Sequence, residues 1–381
     1  MNHEAQEFDD LFEDSDELEI EEQLENVSLA SPFSTKDIKV NTQTIALSAL
    51  IARLNYDEID LQPTFQRKSG LWTNTQMSRL IESILLKMPL PIFYFDVSEP
   101  GRWLVVDGLQ RLSAIKRFAV DNKRPLKLTN LEFLGELNGL TYADLPRPMQ
   151  RVIDETQIVT YQIEPQTPKE VRYSIFNRIN TGGLKLNSQE IRQALNQKGI
   201  AVKFLKDECE SIDFKRVVNI RTDRMLDREL ALRFFAFRLL KIDDNFKSLS
   251  SFLDRAMERI DENKYVSSEL KILSDDFRRA LRISEAIFGP NHKFSKAIIG
   301  DGKRNLNRSL FDVLTVCFSQ IKDTEKFINN KDIFNQKLRD MLSDELSILS
   351  QAIFQGTSSK RAVTDRFSEM RKLIGEMEDI K

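Results

Sequence analysis

The stretch whose reading decides the fold is "WLVVDGLQRLSAIKRF", residues 103–118. An apolar run stops at Asp107-Gly108, and an amphipathic pattern starts at once, with Gln110 and Arg111 in its first turn. That is the grammar of a strand running directly into a helix. A helix that begins this way presents backbone N–H groups with no intrahelical partner, and with the helix dipole they form a ready anion site. Gly108 lets the backbone approach an anion closely, and Arg111 can add a bidentate guanidinium contact to a phosphate. Asp107 cannot bind phosphate directly. It can hold a ribose hydroxyl, orient a water or Mg²⁺, or fix Arg111. The competing reading is an ordinary turn followed by a solvated arginine.

Working outward, "NTQTIALSALIARL" (41–54) has helix spacing, and "EIDLQPTFQR" (58–67) reads as a short strand entering an extended segment fixed by Pro63. "TNTQMSRLIESILLKMPLP" (73–91) is a helix: Met77, Leu80, Ile81, Ile84 and Leu85 share one face, Thr73 or Asn74 caps it, and Pro89 ends it. "PIFYFDV" and "RWLVVD", joined at Glu99-Pro100-Gly101, predict a β-hairpin. Weak strand signals follow in "RPLKL" and "LEFL", then the turn-rich "LNGLTYADLPRP" and a clear strand, "QIVTYQIEP".

Near residue 165 the composition changes. Thr167-Pro168-Lys169-Glu170 is a capping box with proline at the first helical position. That helix closes at "NTGG", "NSQE" opens the next, and Gly199 ends it. From there nearly every segment has a helical period. The expected class is α+β: an acidic disordered tail over 1–35, a small α/β domain over 36–165, and a mostly α-helical domain over 166–381.

Of the 59 acidic residues, twelve fall within residues 1–25, where there is no Lys or Arg; the rest of the chain holds 47 acids against 56 bases, a net of +9. An acidic tail on a basic body solubilises it, or competes with nucleic acid for the basic surface. With only His3 and His292, a histidine-metal nuclease motif, a zinc-protease helix and a Ser-His-Asp triad are excluded, and no Walker-type phosphate loop is present. Cys209 and Cys317 suit two buried thiols in a reducing cytoplasm. No apolar run reaches membrane-span length, so no membrane partner is expected.

"DGLQR" (107–111) resembles the D-G-Q-Q-R signature of the ParB/sulfiredoxin-like superfamily, and more closely that of the N-terminal-domain family of GmrSD-type restriction endonucleases. "QPTFQRKSGLW" is similar to that family's P-x-F-Q-R…W segment, and "FNRINTGGLKLNSQEIRQAL" to its F-x-R-x-N-x-G-G block; weaker echoes carry the resemblance over roughly residues 40–375. One departure is Leu109, where the signature often has glutamine.

The resemblance implies a nucleotide-handling pocket. Asp107, Gly108, Gln110 and Arg111 would form its floor, with Gln66 and Arg67 approaching from the extended segment and Trp72 either stacking on a base or anchoring the core. Asn177, Arg178, Asn180 and Thr181 would supply phosphate or sugar contacts. Glu190 and Arg192 either support that loop as an ion pair or, for Glu190, complete a cap. The implied cofactor is an NTP of unspecified identity, with Mg²⁺ as its companion.

The family's cutting chemistry resides in a histidine-containing module that this sequence lacks. The chain therefore reads as the nucleotide-binding, NTP-hydrolysing regulatory part of a prokaryotic defence system, with a separate nuclease or effector as partner. The alternatives are a non-catalytic DNA-binding adaptor and, third, a nuclease in its own right. Lys215, Arg216, Arg221, Arg224, Lys360 and Arg361 are the candidate DNA contacts, against the plainer reading of salt-bridged helix faces. The sequence leaves homo-oligomerisation open.

Overall fold

The computed structural model describes residues 38–61, 72–179, 187–196, 199–220, 224–243, 245–262, 266–290, 292, 294–300 and 305–379. They divide between Leu195 and Asn196 into two compact units.

The first unit is built on a five-stranded mixed sheet of order β1-β5-β3-β4-β2. Its strands are β1 (Val40–Ala46), β2 (Ile59–Asp60), β3 (Phe93–Glu99), β4 (Arg102–Asp107) and β5 (Gln157–Ile163). β1 runs antiparallel to β5, β5 parallel to β3, β3 antiparallel to β4, and β4 parallel to β2. Four helices of this unit are α1 (Leu47–Asn55), α2 (Asn74–Leu85), α3 (Leu109–Ala119) and α4 (Arg147–Glu155). Phe93, Phe95, Val105 and Ile158 on one sheet face form a single core with Leu50, Ile81, Ile84, Leu112 and Ile115 of the helices. Each such side chain contributes on the order of 1.5–3 kcal/mol through removal from water.

The β3–β4 hairpin, β5 and helices α2 and α3 fall where the sequence pattern puts them, and Thr73 and Gln76 form a reciprocal capping box on α2. Three expectations change. Residues 41–46, expected to open a helix, lie in strand β1, because β5 supplies a full antiparallel partner from Val40↔Ile163 to Ala46↔Gln157; the helix starts only at Leu47. "RPLKL" and "LEFL" are not strands, because their backbone groups are satisfied otherwise. Leu126 N donates to Arg117 O, and the amides of Glu132, Phe133 and Leu134 all donate to the buried Glu82 carboxylate at 2.7–3.0 Å. Helix α4, started by Pro146 and Pro148, is an element the sequence pattern did not announce.

Two further helices, α5 (Lys169–Ile179) and α6 (Ser188–Leu195), follow the change in composition near 165 yet belong to the sheet unit. Arg172 of α5 ties them to the sheet, donating to Asp96 at 3.2 Å and to Ser98. The Thr167 hydroxyl accepts from Lys39 N at 3.1 Å and donates to Lys39 O at 2.9 Å, fastening the α5 entry to the start of β1. Asn187 and Glu190 cap α6 reciprocally, Asn187 N donating to Glu190 and Glu190 N to Asn187.

The second unit is helical among its described residues: α7 (Ile200–Cys209), α8 (Ile212–Val217), α9 (Leu226–Leu239), α10 (Leu249–Asp261), α11 (Ser268–Phe288), α12 (Arg308–Phe318), α13 (Thr324–Asn329), α14 (Lys331–Ser343), α15 (Ile348–Phe354) and α16 (Lys360–Glu378). Its core is phenylalanine-rich; Phe234, Phe235 and Phe277 contact one another at 4.6–5.6 Å between ring centroids. Inside it lies a buried ionic cluster. Asp312 accepts from Arg233 Nε at 2.8 Å and Nη2 at 2.9 Å, and from Arg366 Nη2 at 3.2 Å, with all three side chains essentially inaccessible. Cys209 and Cys317 are buried and unpaired, as the sequence suggests. No helix among the described residues is long and apolar enough to cross a membrane.

Candidate functional site

The β4–α3 junction is where the sequence places it, and its parts are fixed from several directions. Gly108 has φ +101°, and a Cβ there would sit 2.6 Å from Phe93 Cδ1. Glycine is therefore demanded twice, by the left-handed backbone and by the Phe93 ring, independently of any ligand. The first α-helical bond of α3 is Leu112 N to Gly108 O, so the amides of Leu109, Gln110 and Arg111 begin the helix ahead of the intrahelical ladder.

Arg111 is buried, and its guanidinium is engaged inside the protein. It donates to Pro91 O, to Ile92 O at 3.2 Å and to Asp107 Oδ2 at 2.8 Å, and it lies 4.4 Å from the Phe93 ring centroid. Burial lowers its pKa from the ordinary value, and the Asp107 charge opposes that shift. Of the open roles for Asp107, fixing Arg111 is the one the geometry realises. The arrangement binds the carbonyl ends of the segment entering β3 to the end of β4. Asp107 is not exhausted by it: its side chain is 35 % exposed, and Oδ1 has no hydrogen-bond partner among the described residues.

Gln110 Oε1 accepts from Trp72 N at 3.1 Å, joining the helix to the end of the "QPTFQRKSGLW" segment. Trp72 itself packs against the core, as does Leu109. The leucine in the signature is thus an additional core residue.

The remaining candidates are not brought to this junction by any described contact. Arg178 is exposed in the last turn of α5. Gln66, Arg67, Asn180, Thr181 and Arg221, and the side chain of Asn177, lie outside the described residues. Glu190 serves the α6 cap, and Arg192 contacts Gln189 at 3.5 Å. In the helical unit Lys215 and Arg216 are exposed on α8, with Arg216 3.7 Å from Glu285. Lys360 and Arg361 are exposed at the start of α16, Arg361 lying 3.5 Å from Asp365. Arg224 is part-buried just before α9. Among the described residues no group of three or more His, Cys, Asp or Glu could hold a metal ion.

Two residues outside the motifs belong to the junction. Tyr94 of β3 lies opposite Asp107 of β4 and beside Tyr161 of β5 in the sheet register, and the two rings meet edge-on at 5.2 Å. Burial, then Tyr161 and the Asp107 charge, push the Tyr94 hydroxyl above its ordinary pKa. The available signal was alternation: in "PIFYFDV" and "QIVTYQIEP" the tyrosines fall on the face opposite Phe93, Phe95 and Ile158.

Residues 47–197 match the family described as GmrSD restriction endonuclease, N-terminal domain. A solved structure, the C2221 form of a Pnob8-like ParB-N domain, aligns at 15 % identity over 89 % of this chain and 98 % of its own, with a TM-score of 0.21. No curated protein sequence matches the chain.

Proposed function

From the match of residues 47–197 to the family described as GmrSD restriction endonuclease, N-terminal domain, we propose that the protein is a DNA-directed component of a restriction-type defence system that binds a nucleotide at the β4–α3 junction. The observation carrying this reading is the finish of that junction. One Asp107 oxygen is held by Arg111 while the other has no partner among the described residues, directly before the amides that open α3. Phosphate suits the amides and the helix dipole, and a hydroxyl or amine donor suits Asp107 Oδ1. Gln66, Arg67, Asn177, Arg178, Asn180 and Thr181 are proposed to complete the pocket on the strength of their motifs.

Arg111 has a holding role in this reading, since a bidentate phosphate contact would require it to leave two carbonyls and a carboxylate. With Arg111 so engaged and Leu109 packed part-buried against the core, the described junction offers no side-chain base beyond Asp107. That favours nucleotide sensing over hydrolysis. Mg²⁺ fits as the companion of the phosphates, because a single carboxylate oxygen on a part-exposed side chain is the kind of partial protein ligation this ion accepts; its chemistry there would be to neutralise phosphate charge.

Equilibrium dialysis of each NTP with Mg²⁺, paired with a phosphate-release assay with and without DNA, tests the reading. Binding without release supports sensing. Release abolished by Asp107→Asn would establish an NTPase instead. No binding of any NTP would sink the proposal. DNA contact is proposed for the exposed cations of α8 and α16. Reversing Lys360 and Arg361 to glutamate should lower the slope of log affinity against log salt by about 2 if both touch phosphates.

A further inference from the structure

The sheet face turned away from the Phe93–Phe95 core carries an ordered row of side chains. In register across four strands lie Asp107 (β4), Tyr94 (β3), Tyr161 (β5) and Thr42 (β1). At about 4.8 Å per strand, the row spans about 14 Å. Thr42 is exposed, as are Thr44 and Val159 paired beside it, while Tyr94 and Tyr161 are half-buried. Neither tyrosine hydroxyl hydrogen-bonds to another described residue, nor does Asp107 Oδ1. The row therefore offers two aromatic rings with adjustable hydroxyls and one carboxylate acceptor, ending at the first turn of α3. The adjacent cation, Arg111, is turned to Pro91, Ile92 and Asp107.

We propose that Tyr94, Tyr161 and Asp107 form a nucleoside subsite, in which a planar nitrogenous ring stacks on the Tyr161 face beside Tyr94, whose ring meets Tyr161 edge-on, and Asp107 Oδ1 accepts a hydrogen bond from a ring amine or a ribose hydroxyl. This rests on the nucleotide reading of the junction and deepens it, since the same row delivers a 5′-phosphate chain toward the α3 amides. The chemistry selects a ring over a phosphate: aromatic faces gain from stacking on any base, whereas a carboxylate repels an anion. The tyrosine hydroxyls, each both donor and acceptor, can meet the polar edge of such a ring.

Calorimetric titration of the full chain separates the two proposals by comparing an NTP, inorganic tripolyphosphate and a nucleoside, each with the wild type, Tyr161→Ala, Tyr161→Phe and Tyr94→Phe. Loss of one stacking contact should weaken NTP binding about 10-fold in Tyr161→Ala, while tripolyphosphate affinity stays within about 2-fold and Tyr161→Phe retains most of the binding. If Tyr161→Ala and both phenylalanine variants bind the NTP as the wild type does, the subsite is wrong and the nucleotide reading survives. If the wild type binds neither NTP nor tripolyphosphate, the nucleotide reading fails, and the nucleoside decides the subsite. Nucleoside binding lost in Tyr161→Ala keeps it, and no nucleoside binding overturns it. A thermal melt of each variant, with Tyr161→Phe as the conservative control, guards against misfolding.

Discussion

Each unit of the chain holds an aspartate paired with arginine, and the two pairs are finished differently. Asp312, in the helical unit, has no accessible surface, and both of its oxygens accept from guanidiniums, two contacts from Arg233 and one from Arg366. Asp107, in the sheet unit, gives one oxygen to Arg111 and leaves the other without a partner among the described residues, on a part-exposed side chain at a strand–helix junction. With both Asp312 oxygens taken by buried guanidiniums, the cluster fixes α9, α12 and α16 against one another. A half-satisfied carboxylate beside helix-opening amides is the arrangement from which binding follows. The sequence pattern points to Asp107 and says nothing of Asp312; the accounting of oxygens is what separates them.

The comparison breaks most sharply at Asp312. Asp312→Ala would leave two buried guanidiniums without their shared counter-charge, at a cost of about 3–5 kcal/mol. Chemical denaturation should report this as a large loss in the helical unit, with nucleotide binding at the β4–α3 junction retained wherever the chain remains folded. A loss below about 1 kcal/mol would mean that water or rearrangement compensates the arginines, and the contrast with Asp107 would collapse.

Next in size is Gly108→Ala. A methyl group there meets the Phe93 ring and enforces a left-handed backbone on an L-residue. The left-handed conformation and the overpacking together should cost about 3 kcal/mol. A thermal melt near wild type would show that the glycine is not needed for packing, and would return it to the role of a phosphate cradle.

Glu82 sharpens the comparison within the sheet unit, as a carboxylate that is buried but saturated by three backbone amides. Burial alone would raise its pKa, but the amides of Leu134, Glu132 and Phe133, with Arg79, outweigh it and hold the group below its usual 4.5. A carboxyl depressed on folding stabilises fully above its unfolded pKa and loses that contribution as the pH falls through the folded value. Acid titration of wild type should therefore show a component lost below about pH 4.5 that is absent in Glu82→Gln. At neutral pH the variant should be about 2 kcal/mol less stable, from loss of charge-assisted bonds. A variant with the wild-type acid profile would assign the pH dependence to other carboxylates.

What was legible in the sequence follows the same division between local and distant partners. The β4–α3 junction, the Thr73 cap and the Asn187–Glu190 cap are written within a few residues of themselves, and the structure has them. β1 carries a helical period in the sequence because its partner, β5, lies more than a hundred residues on; Thr42, Thr44 and Ile45 fit either period until that partner is known. "LEFL" carries a strand signal because nothing nearby says that Glu82, a side chain on helix α2, takes the amides of Glu132, Phe133 and Leu134. Tyr94 and Tyr161 escaped for a related reason. Their alternation was visible, but their meeting with Asp107 depends on a parallel register and on a bulge between Tyr94 and Phe95. One-dimensional motifs leave Arg111 a phosphate ligand, a partner of Asp107 or a solvated helix residue, because they do not reveal that the Pro91 and Ile92 carbonyls occupy its donors.

The smallest expected effect on stability belongs to Asp107→Asn, and it makes the contrast most exacting. The pair with Arg111 is partly exposed, so converting the acid to an amide should cost less than about 1 kcal/mol. Arg111 would keep both carbonyls and the Phe93 ring, and the fold of the junction should survive. Binding should respond differently, because the amide offers a weaker acceptor to a ribose or base donor and no charge to a cation accompanying the phosphates. The expected signature is a near-wild-type melt together with nucleotide affinity reduced by about 5-fold or more, corresponding to a lost charge-assisted hydrogen bond. If stability and affinity fall together, Asp107 is the structural twin of Asp312 with more exposed surface. If neither moves, its exposed oxygen has no ligand, and the site must be sought elsewhere in the segment 47–197.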